Sequence, residues 1–178
     1  RLHQDVILPA KAAGYEHIWI VGISLGSLGA IRYAREHADM IEGLVLVAPM
    51  LGPPDYAGEI NEAGGLAGWQ PDAERVQADD KGFLGMWAWL KARTGELRQG
   101  IVAEAPPLFV AFGEADRFGP NQRLLAEAMP PERVVVRLGP HAWVVWRVLW
   151  EALIPRVWPN ASPTAPAPLG QTPDVSLR

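Results

Sequence analysis

The sequence predicts an α/β domain built on a parallel sheet with helices on both faces. Three observations carry this. Short apolar runs without polar alternation recur along the chain, each run is followed by a helix-like stretch, and Gly or Pro punctuates the junctions. A strand that is apolar at every position suits a parallel sheet covered on both sides, and strand–helix alternation is the signature of that architecture.

The elements follow in order. Residues 2–13 read as a helix, with Leu2, Val6, Pro9 and Ala13 on one face, a kink or early break at Pro9 and a stop at Gly14. The first strand is Ile18 to Val21. Gly22-Ile23-Ser24-Leu25-Gly26 turns directly into a helix from Ser27 to His37, where Leu28, Ile31 and Ala34 repeat at helical spacing. Leu44 to Ala48 is the second strand. Residues 51–105 change character, being rich in Gly and Pro with Trp69, Trp87 and Trp89, and they read as an inserted excursion or lid holding a short helix from Phe83 to Ala92. The alternation then resumes. Leu108 to Phe112 is a strand, Asn121 to Met129 a helix, Val134 to Leu138 a strand and Trp143 to Ile154 an apolar helix with Arg147 and Glu151 as an i,i+4 pair. The core is therefore expected to span residues 1–154. Residues 155–178 are rich in Pro and Ala and are expected to be disordered.

Composition narrows the function. The net charge of −4 is spread along the chain, and no basic block suggests a nucleic-acid partner. Without a cysteine the chain can form no disulfide, cysteine nucleophile or thiolate metal site. The four histidines are scattered, so neither a metal nor a cofactor is expected. No apolar run reaches the ~20 residues that span a membrane, and no signal peptide precedes the first helix. A cytoplasmic protein without a membrane partner is the expectation, with self-association into a homo-oligomer left open.

Three residues stand where chemistry is expected, because ligands in such sheets sit at the carboxyl ends of the strands. Ser24 lies in Gly22-x-Ser24-x-Gly26 between a strand and a helix. A serine nucleophile must project from a sharp turn there, which requires small neighbours two residues away. Gly29, one helical turn on, would let the helix pack closely on the sheet. The competing use of these glycines, a dinucleotide-binding turn, requires G-x-G-x-x-G, and they are out of that register. Asp116 follows the third strand and suits the acid that orients a histidine, with Glu114 as a substitute two residues earlier. His141 follows the fourth strand and is the one histidine at a strand's carboxyl end, which suits a general base. The order Ser, Asp, His is that of α/β-hydrolases. Trp143 and Trp146 read first as core residues and second as residues that pack against the base. Trp69, Trp87 and Trp89 read first as core residues and second as pocket walls.

From residue 1 to about 154 the chain resembles the C-terminal two thirds of an α/β-hydrolase, in particular small bacterial serine esterases. The matching stretches are Gly22 to Ala30, Gly113 to Phe118 and Gly139 to Trp143. The resemblance implies that the four strands are the fifth to eighth of the usual eight. The first four strands and the loop after the third have no counterpart, so residues preceding Arg1 are expected in the complete protein. It also implies an oxyanion hole in which the Leu25 N–H is one donor and the missing loop the other, and an open edge on the strand leading to Ser24. The implied activity is cleavage of a small-molecule carboxylic ester through an acyl-enzyme. A non-catalytic binding module and an acyltransferase are the alternatives.

Overall fold

A computed structural model describes residues 1–100 and 106–160. Four parallel strands form one sheet in sequence order: β1 (Trp19–Ile23), β2 (Gly43–Val47), β3 (Leu108–Ala115) and β4 (Val134–Pro140). Helices cover both faces, as the sequence predicts. On one face lie α2 (Gly26–Glu36) and α6 (Gly119–Glu127), together with α3 (Pro54–Glu62), α4 (Ala73–Ala78) and α5 (Phe83–Arg98) from the excursion. On the other face α7 (Trp143–Val157) crosses β2, β3 and β4.

This division follows the strand side chains. Leu44, Leu46, Leu108, Val110 and Phe112 pack toward α2 and α6, while Val45, Val47, Phe109, Ala111 and Val135 pack toward α7. Burial of β2 and β3 on both sides explains their unbroken apolar runs. β1 differs because it is an edge strand. Its Ile20 is buried, but Val21 is 39% exposed toward the α7 side, where no helix covers it.

Two helices depart from expectation at their prolines. The opening segment is not one α-helix broken at Pro9. It is a π-helical stretch, Leu2–Ile7, running into α1 (Leu8–Ala12) with Pro9 in its first turn. Proline offers no N–H, so the turn before it is free to widen. At the other end α7 continues through Pro155 to Val157, three residues past the expected boundary of the core. Leu153 and Val157 are buried against the sheet, and this packing holds the last turn despite the lost hydrogen bond. The tail after residue 160 and the end of the excursion at 101–105 lie outside the described residues. Among the described residues no helix is long and apolar enough to cross a membrane.

The excursion carries its own core. Trp69 is 2% and Trp87 0% exposed, and each N–H has an acceptor: Trp69 donates to Glu59 Oε1 at 3.0 Å and Trp87 to the Leu51 carbonyl at 3.0 Å. Trp89 packs on the same core. All three are packing residues, the first of the two readings above.

Candidate active site

Ser24 sits at the sharp turn from β1 to α2 with φ of 52°, in the left-handed region that a residue with a side chain rarely occupies. The turn is fixed from both sides. The Ser24 N–H donates to the Val47 carbonyl at 3.0 Å, and its own carbonyl accepts from Ser27 and Met50, both at 3.1 Å. Gly22 is needed for this geometry. A Cβ there would lie 2.7 Å from the Ser27 Cα and 2.8 Å from the Ala30 Cβ, so β1 and α2 approach too closely for a side chain. The other two glycines are not required in that way. A Cβ at Gly26 or Gly29 would meet nothing within 4 Å, which corrects the expectation that Gly26 must be small and that Gly29 permits close helix–sheet packing. Of the three glycines only Gly22 lies where β1 and α2 touch.

The three predicted residues converge. His141 Nε2 lies 2.8 Å from Ser24 Oγ, and His141 Nδ1 lies 2.8 Å from Asp116 Oδ2. The Asp116 side chain is fully buried and that of His141 is 8% exposed. A carboxylate only accepts, so Nδ1 carries the proton, and the lone pair of Nε2 faces the serine hydroxyl, which donates to it. The second oxygen of Asp116 accepts the Phe118 N–H at 2.9 Å, which pins the carboxylate. The imidazole is held edge-on between Phe118 and Trp146, at ring separations of 5.1 and 4.8 Å. Trp146 thus packs on His141, whereas Trp143 is 72% exposed and touches Trp146 rather than the imidazole. Glu114 is exposed and takes no part in this chain of hydrogen bonds.

The remaining histidines are elsewhere. His3 hydrogen-bonds with the Tyr33 hydroxyl at 2.9 Å and stacks on His37, and His17 hydrogen-bonds with Glu42 at 3.1 Å. Leu25 caps α2, and among the described residues its N–H has no acceptor. It is thus free to donate beside Ser24, where a negative oxygen would also meet the positive end of an 11-residue helix.

Sequence reasoning missed the pocket beside these residues. It has a volume of about 410 Å³ and is walled by Met50, Pro53, Phe83 and Phe118, with Arg117 and Asn121. Its walls come from three separated stretches of chain, the loop after β2, the start of α5 and the loop after β3. No local pattern announces that these meet. Asn121 was visible only as a polar residue in a helix. It is 3% exposed, and its amide donates to the carbonyls of Leu51, Gly52 and Pro53 at 3.4, 2.8 and 3.2 Å, which fixes the loop after β2.

Comparison with known proteins agrees with this architecture. Residues 4–76 match the model of the serine aminopeptidase S33 family, a stretch that includes β1, the Ser24 turn, α2 and β2. Among curated proteins, none matches the sequence. Solved structures do. A ferulic acid esterase superposes with a TM-score of 0.52 at 19% identity, over 85% of this chain and 58% of that one. The monoacylglycerol lipase of Paleococcus ferrophilus gives 0.44 at 22% identity, over 84% and 72%. The enol-lactonase of Burkholderia xenovorans LB400 gives 0.47 at 17% identity, over 86% and 70%. The chain therefore spans 58% of the length of the esterase it matches, and the likeness at these identities is one of fold. The parallel sheet, the serine at the β1–α2 turn and the order of the three residues are those of the α/β-hydrolase fold, which this chain shares over the part it covers.

Proposed function

We propose that the protein is a serine hydrolase that cleaves a carboxylic ester of a small molecule through an acyl-enzyme intermediate. The observation that carries this is the continuous hydrogen-bonded chain from Ser24 Oγ through His141 to Asp116, with both contacts at 2.8 Å.

The chemistry follows from the geometry. His141 Nε2 takes the proton of Ser24 as Oγ attacks the ester carbonyl carbon. Negative charge develops on the carbonyl oxygen, and the Leu25 N–H donates to it. Asp116 holds the imidazole in the tautomer that leaves Nε2 free, and it stabilises the imidazolium once formed. His141 then protonates the departing alkoxide, leaving the acyl group on Ser24. Water attacks the acyl-enzyme with His141 again as base, releasing the acid and restoring Ser24. The same machinery acts on amides, the bond that the name of the matching family implies, so a peptide-type amide belongs in the substrate screen beside esters.

A fluorophosphonate probe tests the reading, because it phosphonylates only an activated serine. Wild-type protein is expected to be labelled and Ser24→Ala to be unlabelled. Folded wild-type protein that resists labelling, or labelling that survives in Ser24→Ala, overturns the assignment.

A further inference from the structure

The pocket beside the catalytic residues has an unusual charge arrangement. Its walls are apolar apart from the buried Asn121, and at the rim Arg117 is exposed, its guanidinium 4.8 Å from the centre of the Phe118 ring. Among the described residues Arg117 makes no ion pair and no side-chain hydrogen bond. Among the described residues Arg98, Arg133 and Arg137 also lack a carboxylate partner, but of these four only Arg117 lines this pocket. Arg32, Arg35, Arg75 and Arg93 are each engaged by a carboxylate at 2.7 to 3.3 Å. Phe118, which carries Arg117 on its face, also contacts the His141 ring, and Met50 on the opposite wall donates its N–H to the Ser24 carbonyl. The cation is therefore held beside the reacting centre by an aromatic platform, with its five donors unspent.

From this we infer that Arg117 selects esters that carry a carboxylate on a short apolar chain. The inference rests on the serine esterase reading above. The apolar body fills the space between Met50, Phe83 and Phe118, and the carboxylate pairs with the guanidinium at the rim. A planar fork of donors matches a carboxylate in a way that solvent does not replace, and such charge-assisted contacts are the strong ones. The cavity volume of about 410 Å³ suits a chain of a few carbons or a single ring, not a long acyl tail.

Two matched substrate pairs test this, one for each side of the ester bond. The first is mono-para-nitrophenyl adipate against para-nitrophenyl hexanoate. The second is para-carboxyphenyl hexanoate against phenyl hexanoate. In at least one pair the wild type is expected to favour the anionic member in kcat/KM. Arg117→Gln is expected to lower that ratio about tenfold, and the preference should weaken as salt rises. Arg98→Gln, on the last turn of α5, serves as a control that leaves the ratio alone. Binding of the same pairs to Ser24→Ala by calorimetry reads the pocket without turnover. The inference fails if neither pair shows an anionic preference in binding or turnover, or if the preference persists in Arg117→Gln. Loss of turnover with the anionic preference kept in binding would instead count against the esterase reading and leave the role of Arg117 supported.

Discussion

At the scale of single residues, the site depends on one close contact more than on any other. Gly22 lets β1 and α2 meet, and the meeting forces Ser24 into its left-handed conformation. Gly22→Ala would place a methyl group against the Ser27 backbone, which cannot rotate away. The expected cost is about 1–3 kcal/mol, read as a lowered midpoint in chemical denaturation. Gly29→Ala should do the opposite. Its Cβ meets nothing, and it sits in an exposed helix interior, where alanine is favoured by about 0.5–1 kcal/mol. Equal destabilisation of both variants would contradict this account of the turn. The sequence motif treats the glycines as equivalent; contact geometry separates them. The same reasoning explains what was legible at this scale. Ser24, Asp116 and His141 could be picked out because each follows a strand directly, so position in the chain already implied position in space. Arg117, Phe118 and Met50 are just as near the site, but their meeting with Phe83 depends on how the excursion folds back.

At the scale of elements, the excursion is held by polar anchors on an apolar core. Glu59 on α3 accepts from Trp69 at 3.0 Å and from Arg75 at 3.3 Å. The Trp69 hydrogen bond first, and then the Arg75 bond, hold its carboxyl below the ordinary glutamate value. A carboxyl with a lowered folded-state pKa stabilises fully above its unfolded pKa, and that stability is lost as the pH falls through the lowered value. Glu59→Gln should therefore reduce the melting temperature at neutral pH, with the difference from wild type shrinking in acid. A difference that does not change with pH would place the stabilisation elsewhere. Glu59 is more than one third exposed, so the effect is modest. Helix ends were the least legible elements. Pro9 reads as a kink or early break and Pro155 as the end of the last helix, yet one sits in a first turn after a widened stretch and the other is overridden by burial of the residues around it. Local propensity names the obstacle, and tertiary packing decides whether the helix passes it.

At the scale of the whole molecule, the sheet has an apolar side that its own helices leave uncovered. Val21, Ile23 and Val47 face Trp143, Trp146 and Trp150 across a groove of about 580 Å³ on the α7 side of β1. An apolar face next to an unpaired edge strand promotes association. This 178-residue chain by itself should bind an apolar dye such as anilinonaphthalene sulfonate and scatter light increasingly with concentration. Val21→Lys should lower both signals, and unchanged signals in that variant would locate the adhesive surface elsewhere. The open edge was legible only through the resemblance, which sets the strand leading to Ser24 beside one that has no counterpart in this sequence. The groove was not, because Trp146 reads from the sequence as a core residue or a support for His141, and neither reading places it on an open face. One side of its ring meets His141 and the other lines the groove.

The sheet is laid out in sequence order from β1 to β4. Synthesis therefore delivers Ser24 first and His141 last of the three, 117 positions later. Until β4 and the start of α7 have emerged and docked, the serine hydroxyl has no partner to take its proton. On the hydrolase reading proposed above, the nascent chain thus carries an ordinary alcohol, and the hydroxyl gains its base only when β4 docks on β3.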